Sequence, residues 1–234
     1  MPTLGILVCD SFDADQRNKY QCEYEDLFID RLLEVDPDLS FITYNVQKDI
    51  FPTAHDQCDG WLITGSRCGA YDGHDWIAKL EDFLRQAYAQ EIPLIGVCFG
   101  HQILAQSLGG RVEKSHKGWG IGLQHYQLLE PFAGLTDTLD LYAIHQDQVV
   151  DVPPTARVFA KTDHCPHAGL LYEGRAVSLQ PHPEFSAEFE KSLIVRNRGN
   201  KIDTELADKA IASLENSQVH GKEIMTFFAD FIKG

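Results

Sequence analysis

The chain has 234 residues, 44% of them hydrophobic and 24% charged, which is apolar material for one sizeable core. Its formal net charge of -15 repels phosphate backbones and anionic headgroups, so a nucleic-acid groove or a charged membrane surface is excluded as the main partner. The run Met1 to Val8 has no basic segment and is too short to be a signal peptide or to span a bilayer, so one cytoplasmic domain over residues 1–234 is expected.

In chain order, Leu4 to Val8 is an apolar run of strand length. Tyr24 to Val35 carries Leu27, Phe28, Leu32 and Leu33 close to a helical stripe, and Asp36-Pro37-Asp38 stops it. Leu39 to Val46 and Gly60 to Thr64 read as further strands. His74 to Gln90 is an amphipathic helix that buries Trp76, Ile77, Leu80, Phe83 and Leu84, and Pro93 to Val97 is a fourth strand. Strands alternating with amphipathic helices predict an α/β fold whose mostly parallel sheet is covered on both faces. From about Arg111 to Gln180 the runs shorten and alternate, as in Gly122 to Leu129, Ala156 to Lys161 and Arg175 to Leu179, so this half is strand-rich. Helical patterns return after Ser186, over Thr204 to Leu214 and Glu223 to Phe231.

The six cysteines are Cys9, Cys22, Cys58, Cys68, Cys98 and Cys165, with no C-x-x-C pair and no histidine at zinc-finger spacing. Reduced thiols and no metal are expected. One cysteine stands apart: Gly96-Val97-Cys98-Phe99-Gly100 lies where a strand ends and a helix begins, with Gly109-Gly110 closing that helix. This is the glycine-flanked nucleophile elbow with cysteine in the serine position. A cysteine in a tight turn is ordinarily structural, but a strand before it, a glycine two residues to either side and a helix after it favour the nucleophile. The helix N-terminus favours thiolate, and the Phe99 amide faces a developing oxyanion.

Gln180-Pro181-His182-Pro183-Glu184 follows the strand Arg175 to Leu179, and parallel strands end on the one edge where ligands of open α/β sheets bind. His182 is the candidate general base and Glu184 the residue that orients it. Thr64-Gly65-Ser66 ends another strand on that edge, so the Gly65 and Ser66 amides are candidates for the second oxyanion donor. No phosphate loop, dinucleotide fingerprint or metal cluster is present, and no cofactor is expected.

These ordered motifs, over about residues 58 to 190, resemble the class I (triad) glutamine amidotransferases, in the branch similar to GMP synthases and γ-glutamyl peptidases. The resemblance implies a flavodoxin-like three-layer fold with a mostly parallel central sheet and a smaller strand-rich second half. It also implies a glutamyl-thioester on Cys98. It places Gln102 at the amino-acid end of the substrate and puts Trp119, His145 and Asp147 around the glutamine pocket. The sequence departs from the family where Pro is usual after the oxyanion turn, since Arg67-Cys68-Gly69-Ala70-Tyr71-Asp72 follows and remodels the rim. No ammonia-accepting synthetase domain follows before Gly234. The polar segment after Glu184, with Glu188, Glu190, Lys191, Arg196 and Arg198, either covers the site or is a solvated face. Three functions follow: a stand-alone enzyme acting on glutamine or a small γ-glutamyl compound, a glutaminase subunit feeding a separate synthetase, or a non-catalytic scaffold, which the intact Cys98, His182 and Glu184 set disfavours.

Overall fold

Residues 1–215 and 217–234 are described by the computed structural model. Strands β1 (Thr3–Val8), β2 (Ser40–Asn45), β3 (Gly60–Ile63) and β4 (Leu94–Val97) alternate with helices α1 (Ala14–Tyr20), α2 (Asp26–Val35) and α3 (Asp75–Ala89), and α4 (Phe99–Ser107) follows β4 directly. Strands β5 (Arg111–Lys114), β6 (Gly120–Leu128), β7 (Thr138–His145), β8 (Asp147–Asp151), β9 (Ala156–Lys161), β10 (Gly169–Tyr172) and β11 (Ala176–Leu179) come next. Helices α5 (Ala187–Asn197), α6 (Thr204–Ser213) and α7 (Gly221–Phe231) complete the order.

One nine-stranded sheet runs β2-β1-β3-β4-β11-β10-β9-β6-β7. Its first five strands are mutually parallel. The last four extend it antiparallel, so the strand-rich half adds to the same sheet. β5 and β8 pair separately as an antiparallel ribbon.

The central strands are buried along their whole length, which is why they read as continuous apolar runs. Successive side chains go to opposite faces. Leu62 packs with Phe28 and Leu32 of α2 and Phe228 of α7, while Trp61 and Ile63 pack with Leu80 and Leu84 of α3 and Ile103 of α4. Two apolar layers flank the sheet, and the fold is the expected three-layer α/β architecture.

Helix α1 lies in a stretch with no apolar periodicity, and its signal is polar. Asp13 accepts from the Gln16 N–H while the Gln16 side chain accepts from the Asp13 N–H, a reciprocal capping box. Strands β7, β8 and β10 also form where residue patterns alone were weak; β7 is fixed by eight-residue pairing with β6.

Gly5 on β1 faces the indole of Trp61, and a Cβ there would lie 2.1 Å from a ring carbon. A buried ring wedged between sheet and helix cannot swing aside. Gly5→Ala is therefore expected to destabilise the fold by about 1–3 kcal/mol in urea unfolding. Gly73→Ala, whose Cβ would meet nothing within 4 Å, is expected to leave the midpoint near the wild-type value.

Candidate active site

Cys98 has φ 55° and ψ -104°, a left-handed backbone that a residue with a side chain adopts only under constraint. The constraint is visible. The Cys98 N–H donates to the Leu179 carbonyl of β11 at 2.9 Å, and the Gly100 N–H donates to the Thr64 carbonyl at 3.1 Å. A Cβ on Gly96 would lie 2.5 Å from the Gly100 carbonyl oxygen, and one on Gly100 would lie 2.2 Å from that of Ile63. Both atoms belong to the backbone, so only glycines let the turn close this tightly. Phe99 opens α4, so its amide is among the first-turn N–H groups that have no partner inside the helix.

His182 follows β11 and is held from three sides. Its N–H donates to the Tyr142 carbonyl at 2.9 Å, its Nδ1 meets Glu184 Oε1 at 2.7 Å, and its ring stacks on Phe185 with centroids 3.9 Å apart and planes within 4°. Burial by itself would pull the histidine down, but the Glu184 carboxylate and Cys98 outweigh it and hold His182 well above the ordinary histidine value. The other buried histidines behave oppositely. His101, at 2.8 Å from the Ser178 hydroxyl, and His145, at 3.1 Å from the Asp147 carbonyl, are each pushed down to about 3, chiefly by burial. They are neutral packing and hydrogen-bonding groups, so of the described buried histidines it is His182 that has a carboxylate to support its charge.

Gly65 lies against this pair: a Cβ there would come 3.2 Å from His182 Cε1, 3.6 Å from Cys98 Cβ and 2.6 Å from the Tyr24 hydroxyl. The Gly65–Ser66 turn thus borders the thiol. Both residues, with Cys98, Gln102, Trp119, His145, Asp147 and His182, line one cleft of ≈ 780 Å³, while Phe99 and Glu184 lie behind its wall. Gln102 faces partly away from any ligand, because its Nε2 donates to the Asp147 carbonyl at 2.8 Å and to Gln180 Oε1 at 3.1 Å. Trp119 donates Nε1–H to the Lys201 carbonyl at 3.0 Å, and the Asp147 carboxylate accepts from the Tyr71 hydroxyl at 3.0 Å.

The remodelled rim is built on an ion pair that residue patterns did not reveal. Arg67 grips Asp10 with Nε to Oδ2 at 2.8 Å and a terminal nitrogen to Oδ1 at 2.7 Å, and its backbone N–H donates to the same carboxylate. Among the described residues, donor atoms of Cys68, Asp72 and His74 come within 4.8 Å of one another on this loop. The loop's own folding accounts for them: Asp72 accepts from the Gly69 N–H at 2.9 Å, and His74 stacks on Trp76. The six cysteines are all free.

The segment after Glu184 is α5, and it covers the site. Phe189 is buried against Phe185, ring centroids 4.7 Å apart, while Glu188 and Lys191 face solvent. Among the described residues no helix is long and apolar enough to cross a membrane.

The sequence profile described as glutamine amidotransferase class-I matches residues 20–202. The chain belongs to this family. It is 30% identical to gamma-glutamyl peptidase 5 of Arabidopsis thaliana over 76% of this chain and 75% of that protein. A shorter match, 39% identical over 99 residues, covers 42% of this chain and 20% of the glutamine-hydrolysing GMP synthase of Thermus thermophilus. The crystal structure of a glutamine amidotransferase from Thermotoga maritima superposes with a TM-score of 0.78 over 99% of this chain and 98% of that one, at 22% identity. The chain is an enzyme of the class I type, with the mixed α/β fold of its structural neighbour.

The His182–Glu184 pair stabilises the fold below the ordinary histidine pKa, and that contribution is lost as pH rises through the raised value. Glu184→Gln is expected to move the His182 titration, followed by NMR, down by about one pH unit or more. An unchanged midpoint would show that Glu184 does not carry the charge.

Proposed function

We propose that the chain hydrolyses or transfers a γ-glutamyl group, taken from glutamine or a small γ-glutamyl compound, through a thioester on Cys98. The observation that carries the reading is the placement of a constrained elbow cysteine in a cleft beside a buried histidine whose hold on a proton a carboxylate strengthens. In this mechanism His182 accepts the Cys98 proton and the thiolate attacks the γ-carbonyl. The tetrahedral oxyanion faces the amides of Phe99 and the Gly65–Ser66 turn. His182 then returns the proton to the leaving nitrogen, the C–N bond breaks, and a γ-glutamyl-thioester remains. Water or an amine, deprotonated by His182, attacks the thioester and releases the product and the thiol. Gln102, Trp119, His145 and Asp147 line the same cleft and are assigned to the acyl pocket.

The similarity to a γ-glutamyl peptidase over three-quarters of both chains supports a substrate larger than glutamine. So does a cleft of ≈ 780 Å³, well inside the range of pockets that enclose drug-sized ligands. A second reading, a glutaminase subunit that feeds ammonia to a separate synthetase, draws on the shorter match to GMP synthase.

The test is turnover of glutamine and of γ-glutamyl dipeptides by the purified chain alone. Activity on the dipeptides is expected, with a loss of about a thousandfold or more in Cys98→Ala and a smaller loss in Glu184→Gln. Activity that survives in Cys98→Ala would remove the nucleophile. Glutamine turnover that appears only when a synthetase is added would favour the second reading.

A further inference from the structure

Glu190 lies on α5, next to the Phe189 that packs on Phe185, and is completely buried. Such a position is rare for a glutamate without a cation. Its Oε1 accepts one neutral donor, the Gly122 N–H of β6, at 3.2 Å. Its Oε2 has no partner, and the same holds for Oε2 of Glu184 and the hydroxyl of Tyr126, both also buried. The titratable groups acting on Glu190 are Glu184 and His182, and it in turn acts on Tyr126 of β6. Among the described residues, the neighbouring elements bring nothing to neutralise it. What α6 buries is Ala207 and Ala210, the Tyr142 hydroxyl of β7 is engaged with Ser217, and His145 of β7 interacts with His164 and His182.

Two carboxylates in one apolar interior cannot both stay ionised when only one has a cationic partner. Glu184 has that partner in His182 at 2.7 Å. Glu190 has a single amide, so it is the one that keeps a proton. Burial, reinforced by the Glu184 charge and only partly opposed by His182 and the Gly122 amide, pushes the Glu190 carboxyl up to about 8.

We propose that Glu190 is a positioning residue: a buried, protonated carboxylic acid that backs the His182–Glu184 pair, and whose ionisation in alkaline solution impairs it. This rests on the reading of His182 as the base. An ionised Glu190 puts a second negative charge beside the pair. The two carboxylates then repel each other, and the imidazolium holds its proton too tightly to pass it to the leaving nitrogen.

Two pH series on wild type and Glu190→Gln test the proposal. The first is kcat/KM on a γ-glutamyl dipeptide, each protein referred to its own rate at about pH 6. Wild type is expected to decline several-fold through a midpoint near 8, and Glu190→Gln to stay level through that range. The second is urea-unfolding stability, which does not depend on turnover. A carboxyl whose folded pKa is raised contributes stability below the ordinary carboxylate range that is lost as pH climbs through the raised value. Wild type should therefore lose stability up to about 8, and the variant should lack that slope. Identical slopes in both proteins would overturn the proposal. A missing activity with the stability difference intact would instead count against the functional reading. If Glu190→Gln fails to fold, the infrared carbonyl band of a buried protonated carboxyl, measured on wild type, serves in its place. It should be present at neutral pH and vanish near pH 8 to 9, and its absence at neutral pH would overturn the proposal.

Discussion

The site depends on one strained residue. Cys98 sits at φ 55°, a conformation that costs of order 1–3 kcal/mol for a residue with a Cβ. The surrounding sheet imposes it. β11 accepts the Cys98 N–H, the end of β3 accepts the Gly100 N–H, and the two flanking glycines allow the backbones to touch. Each of those hydrogen bonds contributes about 1 kcal/mol net, so the strain is offset only while β3, β4 and β11 stay in register. The parallel half of the sheet is therefore part of the active-site apparatus. It turns the thiol up into the cleft and leaves the first amides of α4 beside it.

A second constraint is the management of charge in a dry interior. His182, Glu184 and Glu190 are all buried, and of the two acids only Glu184 has the imidazole as its partner. The fold settles this by distance and stacking. Glu184 takes the imidazole, Phe185 clamps the ring face, and Phe189 packs behind Phe185. The aromatic run from α5 thus joins the helix that covers the site to His182. It gives the site a rigidity that a surface His-Pro-Glu loop would lack.

The parts legible in the sequence were those encoded locally. The apolar runs of β1, β3, β4 and β11, the stripe on α3 and the glycine pair around Cys98 depend on near neighbours, and the elements formed where those patterns lie. Segments fixed by long-range pairing were less visible. β5 and β8 are short, polar and partly exposed, and they exist because each satisfies the other's backbone. Helix α5 shows the limit most clearly. Glu188, Glu190 and Lys191 alternate as a solvated face would, and nothing local says that Glu190 turns inward beneath β6 while Glu188 and Lys191 face water. The Arg67–Asp10 pair, 57 residues apart in the chain, is likewise a product of β1 and β3 ending side by side.

In the proposed reaction the cleft binds a γ-glutamyl group and delivers its carbonyl to Cys98. The most direct test is intact-mass analysis after exposure to a diazo-ketone analogue of glutamine, with the modified residue located by peptide mapping. One adduct per chain is expected, on Cys98, which excess glutamine or γ-glutamyl dipeptide prevents. An adduct spread over Cys22 and Cys68, or one on Cys98 that neither competitor slows, would contradict it.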